Sequence, residues 1–293
     1  MKLPSIFDKP TTFLSIVVPA YNEEKRLPEL LDDIRAYRDN RKESINEFKY
    51  EILIMNDGSK DATEKIALEY GKKYSMPIKV VTHVVNRGKG GSVTQGVLCS
   101  AGEYILFCDA DGATKFSDID LLIEACKTNA TKAGGPSIAV GSRALESANT
   151  NEHKDLLQSK NLESEHTTKV QRSSLRSFLQ WGFHNYVYIL GVRGIKDTQC
   201  GFKLFNRKSA QLIFSQMHVE RFIFDIEVLL IASYYKIPVA EVPVNWHEVD
   251  GSKMSIVRDS IQMALDLLAV RLNYLFGLWE IKNANDIIPS ELK

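Results

Sequence analysis

Two aspartates one residue apart, Asp109 and Asp111, follow the short apolar run Tyr104–Cys108 and precede Gly112. A run this short, aromatic and rich in Leu and Ile, reads as a strand buried on both faces of a parallel sheet. Such sheets bind ligands at the carboxyl ends of their strands, and the aspartate pair sits at one of those ends. Two carboxylates so close repel each other. A divalent cation, Mg2+ or Mn2+, would screen them through the hard oxygen ligands it favours. The competing reading is a strand end followed by an ordinary Asp-Gly turn.

Other polar groups occupy similar positions. Asp57 follows the apolar run Glu51–Met55, in Asn56-Asp57-Gly58-Ser59. The stretch Asn86–Ser92 sets Arg87 and Lys89 among Gly88, Gly90 and Gly91 ahead of an apolar helix pattern. Glycines expose backbone N–H groups and let a phosphate approach a helix N-terminus, and the two cations suit the same ligand. A flexible turn remains the alternative. The spacing matches neither a P-loop nor a dinucleotide fingerprint, because Val93 stands where the third glycine of the latter would fall. Arg143 ends a further strand, Ile138–Ser142, and Tyr21 and Asn22 follow the strand Leu14–Ala20. The combination describes a pocket for a nucleoside diphosphate and a metal. Later in the chain, Lys196–Lys203 forms a polar glycine-containing turn carrying Asp197 and Lys203. Asp225 and Glu227 interrupt an apolar helix, as N-terminal helix charges or as site residues.

The elements holding these groups alternate regularly. Strands are expected near Leu14–Ala20, Glu51–Met55, 78–85, Tyr104–Cys108 and Ile138–Ser142, with helices between them, the first opening at Tyr21–Glu24 with Asn22 as N-cap. That is an α/β, Rossmann-like, doubly wound and mostly parallel sheet. The prolines 238 and 243 push the strand over 237–246 toward an edge. Phe178, Trp181, Phe183 and Tyr186 mark an aromatic helix that either packs on the sheet or touches a membrane surface, and residues 255–279 form a long amphipathic helix with the same two options. The boundaries expected are an N-terminal extension over 1–12, one domain over 13–279 with a mobile loop at 144–171, and a tail over 280–293.

With 37 basic and 37 acidic residues there is no global field to attract nucleic acid, so a phosphate must be held by local cations. The four cysteines show no Cys-x-x-Cys spacing, which argues against structural zinc and for a reducing compartment. No run of about 18 uncharged apolar residues occurs, so the sequence reads as soluble or peripheral.

Taken in order, Val18-Pro-Ala-Tyr-Asn-Glu-Glu24, Asn56-Asp-Gly-Ser59, Asn86-Arg-Gly-Lys-Gly-Gly91 and Asp109-Ala-Asp111 resemble the motifs of the inverting glycosyltransferases of family 2, with the GT-A fold. More narrowly, the segments 111–118, 140–143, 195–205 and 246–254 resemble the branch that glucosylates dolichyl phosphate. The resemblance spans about 14–279. It implies transfer of glucose from UDP-glucose to dolichyl phosphate at the cytosolic face of the endoplasmic reticulum membrane, in the service of N-glycosylation. A GDP-mannose-dependent mannosyltransferase and a non-catalytic nucleotide-sugar sensor are the rival readings.

By the same resemblance Asp57 recognises uracil, Asp109 the ribose side and Asp111 the metal, with Asp109 beside it. Pro19, Tyr21, Glu23, Arg87 and Ala110 line the nucleotide, while Lys89 and Lys253 neutralise phosphate. Arg143 and Lys203 are expected to hold the acceptor phosphate, with Asp197 or Asp225 positioning a substrate. Relatives carry an N-terminal membrane anchor that this sequence does not show. Membrane contact is then expected either from an anchor outside this sequence or through the aromatic and C-terminal helices.

Overall fold

The computed structural model describes residues 3–41, 48–130, 134–146, 194–249 and 256–288. The strands β1 (Thr12–Ala20), β2 (Tyr50–Asn56), β3 (Ile78–Thr82), β4 (Gly102–Cys108), β5 (Ile138–Ser142), β6 (Phe202–Asn206) and β7 (Val239–Pro243) form one sheet in the order β3-β2-β1-β4-β6-β5-β7. Every pairing is parallel except those of β6, which runs antiparallel to both β4 and β5. The proline-bearing β7 is an edge strand, as its sequence requires.

Burial on both faces explains the continuous apolar runs of β1, β2 and β4. Val17, Leu53, Ile105 and Phe107 pack into one core with α3 (Gly88–Leu98) and with three later helices. These are α6 (Arg207–Phe214), α7 (Phe224–Tyr234) and α8 (Ile256–Leu275), numbered after the short α5 (Arg143–Glu146). Ile16, Ile54, Leu106 and Cys108 pack into the other core, with α1 (Leu27–Asn40), α2 (Thr63–Tyr74) and α4 (Ile119–Asn129). Side chains alternate across a strand, so neighbours on one strand feed opposite cores.

Four local expectations are revised. The first helix begins at Leu27, not at Tyr21. Asn22 adopts a left-handed φ of 54°, which a helix start cannot use, and its amide donates to Ser59 Oγ at 2.9 Å while its Oδ1 accepts from the Lys60 amide at 2.8 Å. The 21–26 segment thereby becomes a loop tied to the 59–63 loop, and Pro28 in the first turn suits the actual helix start. The third strand ends at Thr82, three residues early. Lys203 lies within β6 opposite Phe107 rather than in a polar turn. Residues 3–11, expected as an extension, are drawn onto the domain. Ile6 is buried, and Arg207 donates to the carbonyls of Ser5 and Asp8. The aromatic helix at 178–190, most of the 144–171 loop and Lys253 lie outside the described residues.

Candidate active site

The carboxyl ends of β1, β2 and β4, the start of α3 and the 220–222 loop surround a cleft of about 630 Å³. Pro19, Tyr21, Glu23, Asp57, Arg87, Lys89, Asp109, Ala110 and Asp111 all line it. Asp57 is buried at its floor. Its carboxylate accepts the amides of Arg87 and Gly88, each at 2.8 Å, and contacts His83 Nδ1 at 2.9 Å, tying β2 to the start of α3. A carboxylate offers about four lone-pair sites, so one remains for a ligand N–H.

The glycine turn lines the cleft through Arg87, Gly88 and Lys89, and its glycines also admit a distant stretch of backbone. A side chain at Gly88 would collide with the Glu220 carbonyl, and one at Gly90 with the Val219 carbonyl and Phe224. These glycines admit the 219–221 backbone, and Gly91 donates its amide to Glu220 O at 2.9 Å. Arg87 is in turn ion-paired with Glu220. That loop itself is fixed from beneath by the fully buried Glu227, which accepts the amides of His218 and Val219 and the hydroxyl of Tyr274. Glu227 is therefore a structural carboxylate.

The aspartate pair is asymmetric. Asp109 donates its amide to Gly201 O at 3.0 Å, lays its carboxylate where any side chain at Gly201 would stand, and pairs with Lys89 Nζ at 2.7 Å. Burial alone would lower the Lys89 pKa. The charges of Asp109 and Asp225 more than offset this and hold the ammonium form. Asp111 turns away at Gly112, whose φ is 68°, and its Oδ1 accepts only the Ala113 amide at 3.1 Å. The nearest cation, Arg26, stands 3.8 Å off. Burial first, and the Asp109 charge second, push the Asp111 carboxyl above its ordinary pKa. Among the described residues no three His, Cys, Asp or Glu side chains cluster as metal ligands. Two carboxylates, one of them with no cation within hydrogen-bond range, nonetheless fit a cation of the Mg2+ type, which takes one or two protein carboxylates and fills its shell with phosphate oxygens and water.

A second pocket of about 190 Å³ adjoins the cleft and shares Arg26, Asp109 and Asp111 with it. Arg143 lines it. Asp197 grips Arg143 bidentately, Nε–Oδ2 at 2.6 Å and Nη2–Oδ1 at 2.7 Å, and also accepts its amide at 3.0 Å. Burial would raise the Asp197 pKa, but the bonds and charge of Arg143 reverse this and hold it below the usual carboxylate range. The Trp246 ring stacks 5.6 Å from the guanidinium carbon. The 111–116 loop is closed over the pocket by the 245–247 segment, where Lys115 and His247 amides bond the Asn245 and Ala113 carbonyls and Asp118 holds Asn245.

Three expected site residues, Asp197, Lys203 and Asp225, line neither cavity. Lys203, 1% exposed, is ion-paired with the equally buried Asp225 and donates to Thr198 O at 2.7 Å. Two of the three ammonium donors are thereby engaged inside the protein, and the side chain faces neither cavity. The pair instead underlies the floor, where Asp225 adds to the field at Lys89. Arg26, Gln199 and Trp246 line the second pocket without having been singled out in the sequence. Arg26 carried a signal, since it stands three residues after Glu23, a spacing that pairs charges.

Residues 15–214 match the model of glycosyl transferase family 2. The chain belongs to this family. It is 47% identical over 281 residues to the dolichyl-phosphate beta-glucosyltransferase of Homo sapiens, covering 96% of this chain and 81% of that one. It is 42% identical over 281 residues to the protein of the same name in Saccharomyces cerevisiae, covering 93% and 78%. Glucosyl-3-phosphoglycerate synthase from Mycobacterium tuberculosis shares the fold at 15% identity, with a TM-score of 0.57 over 91% of this chain and 81% of that one. Mannosyl-3-phosphoglycerate synthase from Rubrobacter xylanophilus does so at 15% identity, with a TM-score of 0.57 over 96% and 80%. The fold is thus that of the GT-A glycosyltransferases, as the motif order implies.

Proposed function

We propose that the protein transfers glucose from UDP-glucose to dolichyl phosphate with inversion, releasing UDP. The observation carrying this reading is the meeting of two cavities at Asp109, Asp111 and Arg26, a large one floored by Asp57 and a small one carrying a clamped arginine. The large cleft takes the nucleotide sugar. Asp57 has the acceptor site left over that a uracil N–H needs, Asp109 faces the ribose side, and Lys89 offsets diphosphate charge.

Asp111, with Asp109 beside it, would hold Mg2+ or Mn2+, which when bound neutralises the diphosphate and steadies the departing UDP. The acceptor phosphate occupies the small pocket against Arg143. A phosphate monoester has a second pKa of about 6, so near neutrality it is already a nucleophilic dianion and needs cations more than a base. One of its oxygens attacks the anomeric carbon from the face opposite UDP. The carbon–oxygen bond to the β-phosphate breaks, and its electron pair leaves on UDP. One in-line displacement inverts the configuration.

The same reading places the protein on the cytosolic face of the endoplasmic reticulum membrane. No helix among the described residues is long and apolar enough to cross a membrane. Yet Ile261, Leu265, Leu268, Leu272 and Leu275 form an outward stripe on α8, 39–76% exposed, and Phe276 and Leu278 extend it. An apolar stripe opposite a core-facing side suits a helix lying in a lipid interface.

Radiolabelled UDP-glucose and GDP-mannose, offered in parallel with dolichyl phosphate, Mg2+ or Mn2+ and a chelator control, test the proposal. Metal-dependent glucosyl lipid is the expected product. Label arriving from GDP-mannose would overturn the donor assignment, and saturable UDP binding with no product from either donor would point to a sensor.

A further inference from the structure

The small pocket holds a second arginine that is mounted in the same way as the first. Arg143 is gripped along its Nε–Nη2 edge by Asp197, at 2.6 and 2.7 Å. Arg26 is gripped along its Nε–Nη2 edge by Glu23, at 2.8 Å for both bonds. Each carboxylate fixes the plane of its guanidinium and leaves Nη1 without a hydrogen-bond partner among the described residues. The Arg26 Nη1 points toward Asp111 but stays 3.8 Å from it, beyond hydrogen-bond range. Both arginines line one pocket that also holds Gln199 and Thr114, and Arg26 alone of the two extends into the large cleft. A guanidinium held by one edge is a prepaid donor, because its fork loses little further freedom when a phosphate arrives.

We infer that Arg26 and Arg143 form a two-arginine site for a phosphate monoester dianion, with Arg26 the contact nearest the donor and Glu23 the residue that positions it. The inference rests on the proposed acceptor reading and assigns Glu23 away from the nucleotide. Charge explains why two are needed. The pocket wall also carries the carboxylates of Asp109, Asp111 and Glu248, so a dianion is repelled unless cations face it directly. The large cleft is lined by Arg87, Lys89 and Arg221 besides Arg26, whereas Arg26 and Arg143 are the only Lys or Arg side chains lining the small pocket among the described residues. Arg26 lies where two phosphates must come together for the displacement.

The test compares wild type with Arg26→Gln, Arg26→Lys and Glu23→Gln. Acceptor KM is measured with a short-chain polyprenyl phosphate, UDP affinity by calorimetry with Mg2+, and binding of an alkyl phosphate by phosphorus NMR titration. Arg26→Gln should raise acceptor KM at least tenfold while UDP affinity moves less than threefold. Arg26→Lys should recover part of the loss, since it restores the charge without the fork. Glu23→Gln, which keeps the guanidinium and loosens its aim, should fall between. Equal losses of donor and acceptor affinity, or an unchanged acceptor KM, would overturn the inference. If wild type glucosylates no phosphate acceptor, the proposed function fails, and the titration still decides this site. Alkyl phosphate binding lost in Arg26→Gln supports it, and equal binding in both proteins refutes it.

Discussion

Replacing Lys203 by methionine separates a structural cation from a substrate-binding one. Methionine fills much the same volume but removes the charge, leaving the Asp225 carboxylate, 3% exposed, without its cation and the Thr198 carbonyl without its donor. Removing one partner of a buried ion pair costs about 3–5 kcal/mol. For a chain of this size the melting temperature moves by about 2 °C per kcal/mol, so a fall of roughly 6–10 °C is expected in reversible thermal unfolding. Burial already pushes the Asp225 pKa up, and losing Lys203 raises it further. A carboxyl whose folded pKa is raised favours the folded state below its unfolded pKa and loses that advantage as pH rises through the folded value. The deficit should therefore be smaller at pH 5 than at pH 8. Removing both charges, in Lys203→Met with Asp225→Leu, should restore most of the loss, because a buried pair replaced by apolar side chains is often neutral. The reasoning is refuted if Lys203→Met melts like wild type while acceptor KM rises tenfold, since that would put the ammonium on the substrate.

Gly201→Ala should displace the Asp109 carboxylate that lies against it, and a misplacement of about 1 Å costs on the order of 10²-fold in kcat/KM, measurable by steady-state kinetics with the melting temperature as control. Asp197→Asn should flatten the acid limb of the stability curve. The Arg143 pairing lowers the folded pKa of Asp197, so its stabilisation is present above the unfolded pKa of about 3.9 and is lost as pH falls through the lower folded value; urea titrations from pH 5 to pH 2 read the difference. Leu265→Glu with Leu272→Glu should abolish flotation with anionic liposomes at low salt and leave UDP affinity unchanged, because both side chains point away from the core. Persistent flotation of that variant would exclude α8 as the lipid-facing element.

The strand ends were legible because a strand buried on both faces must be written in apolar residues and must stop where polar ones begin. Asp57, Asp109, Asp111 and Arg143 could be found that way, and the regular alternation of strand and helix carried the doubly wound sheet with them. Sequence also showed that prolines would confine β7 to an edge. What it could not show was partnership across the chain.

The glycines at 88 and 90 read as a phosphate cradle; that they also make room for a backbone about 130 residues away in sequence is visible only in the fold. Lys203 read as a turn cation because Gly201 precedes it; only the antiparallel insertion of β6 between β4 and β5 buries it opposite Asp225. Arg26 read as one more charge on the way into a helix. Its role depends on the left-handed Asn22, which keeps 21–26 a loop and lets Glu23 aim the guanidinium into a pocket built by Asp111, Arg143 and Trp246. Sequence determines which residues stand at strand ends, since that depends on local pattern. Which charges remain open to a ligand is decided by long-range pairing, and only the tertiary structure sets that.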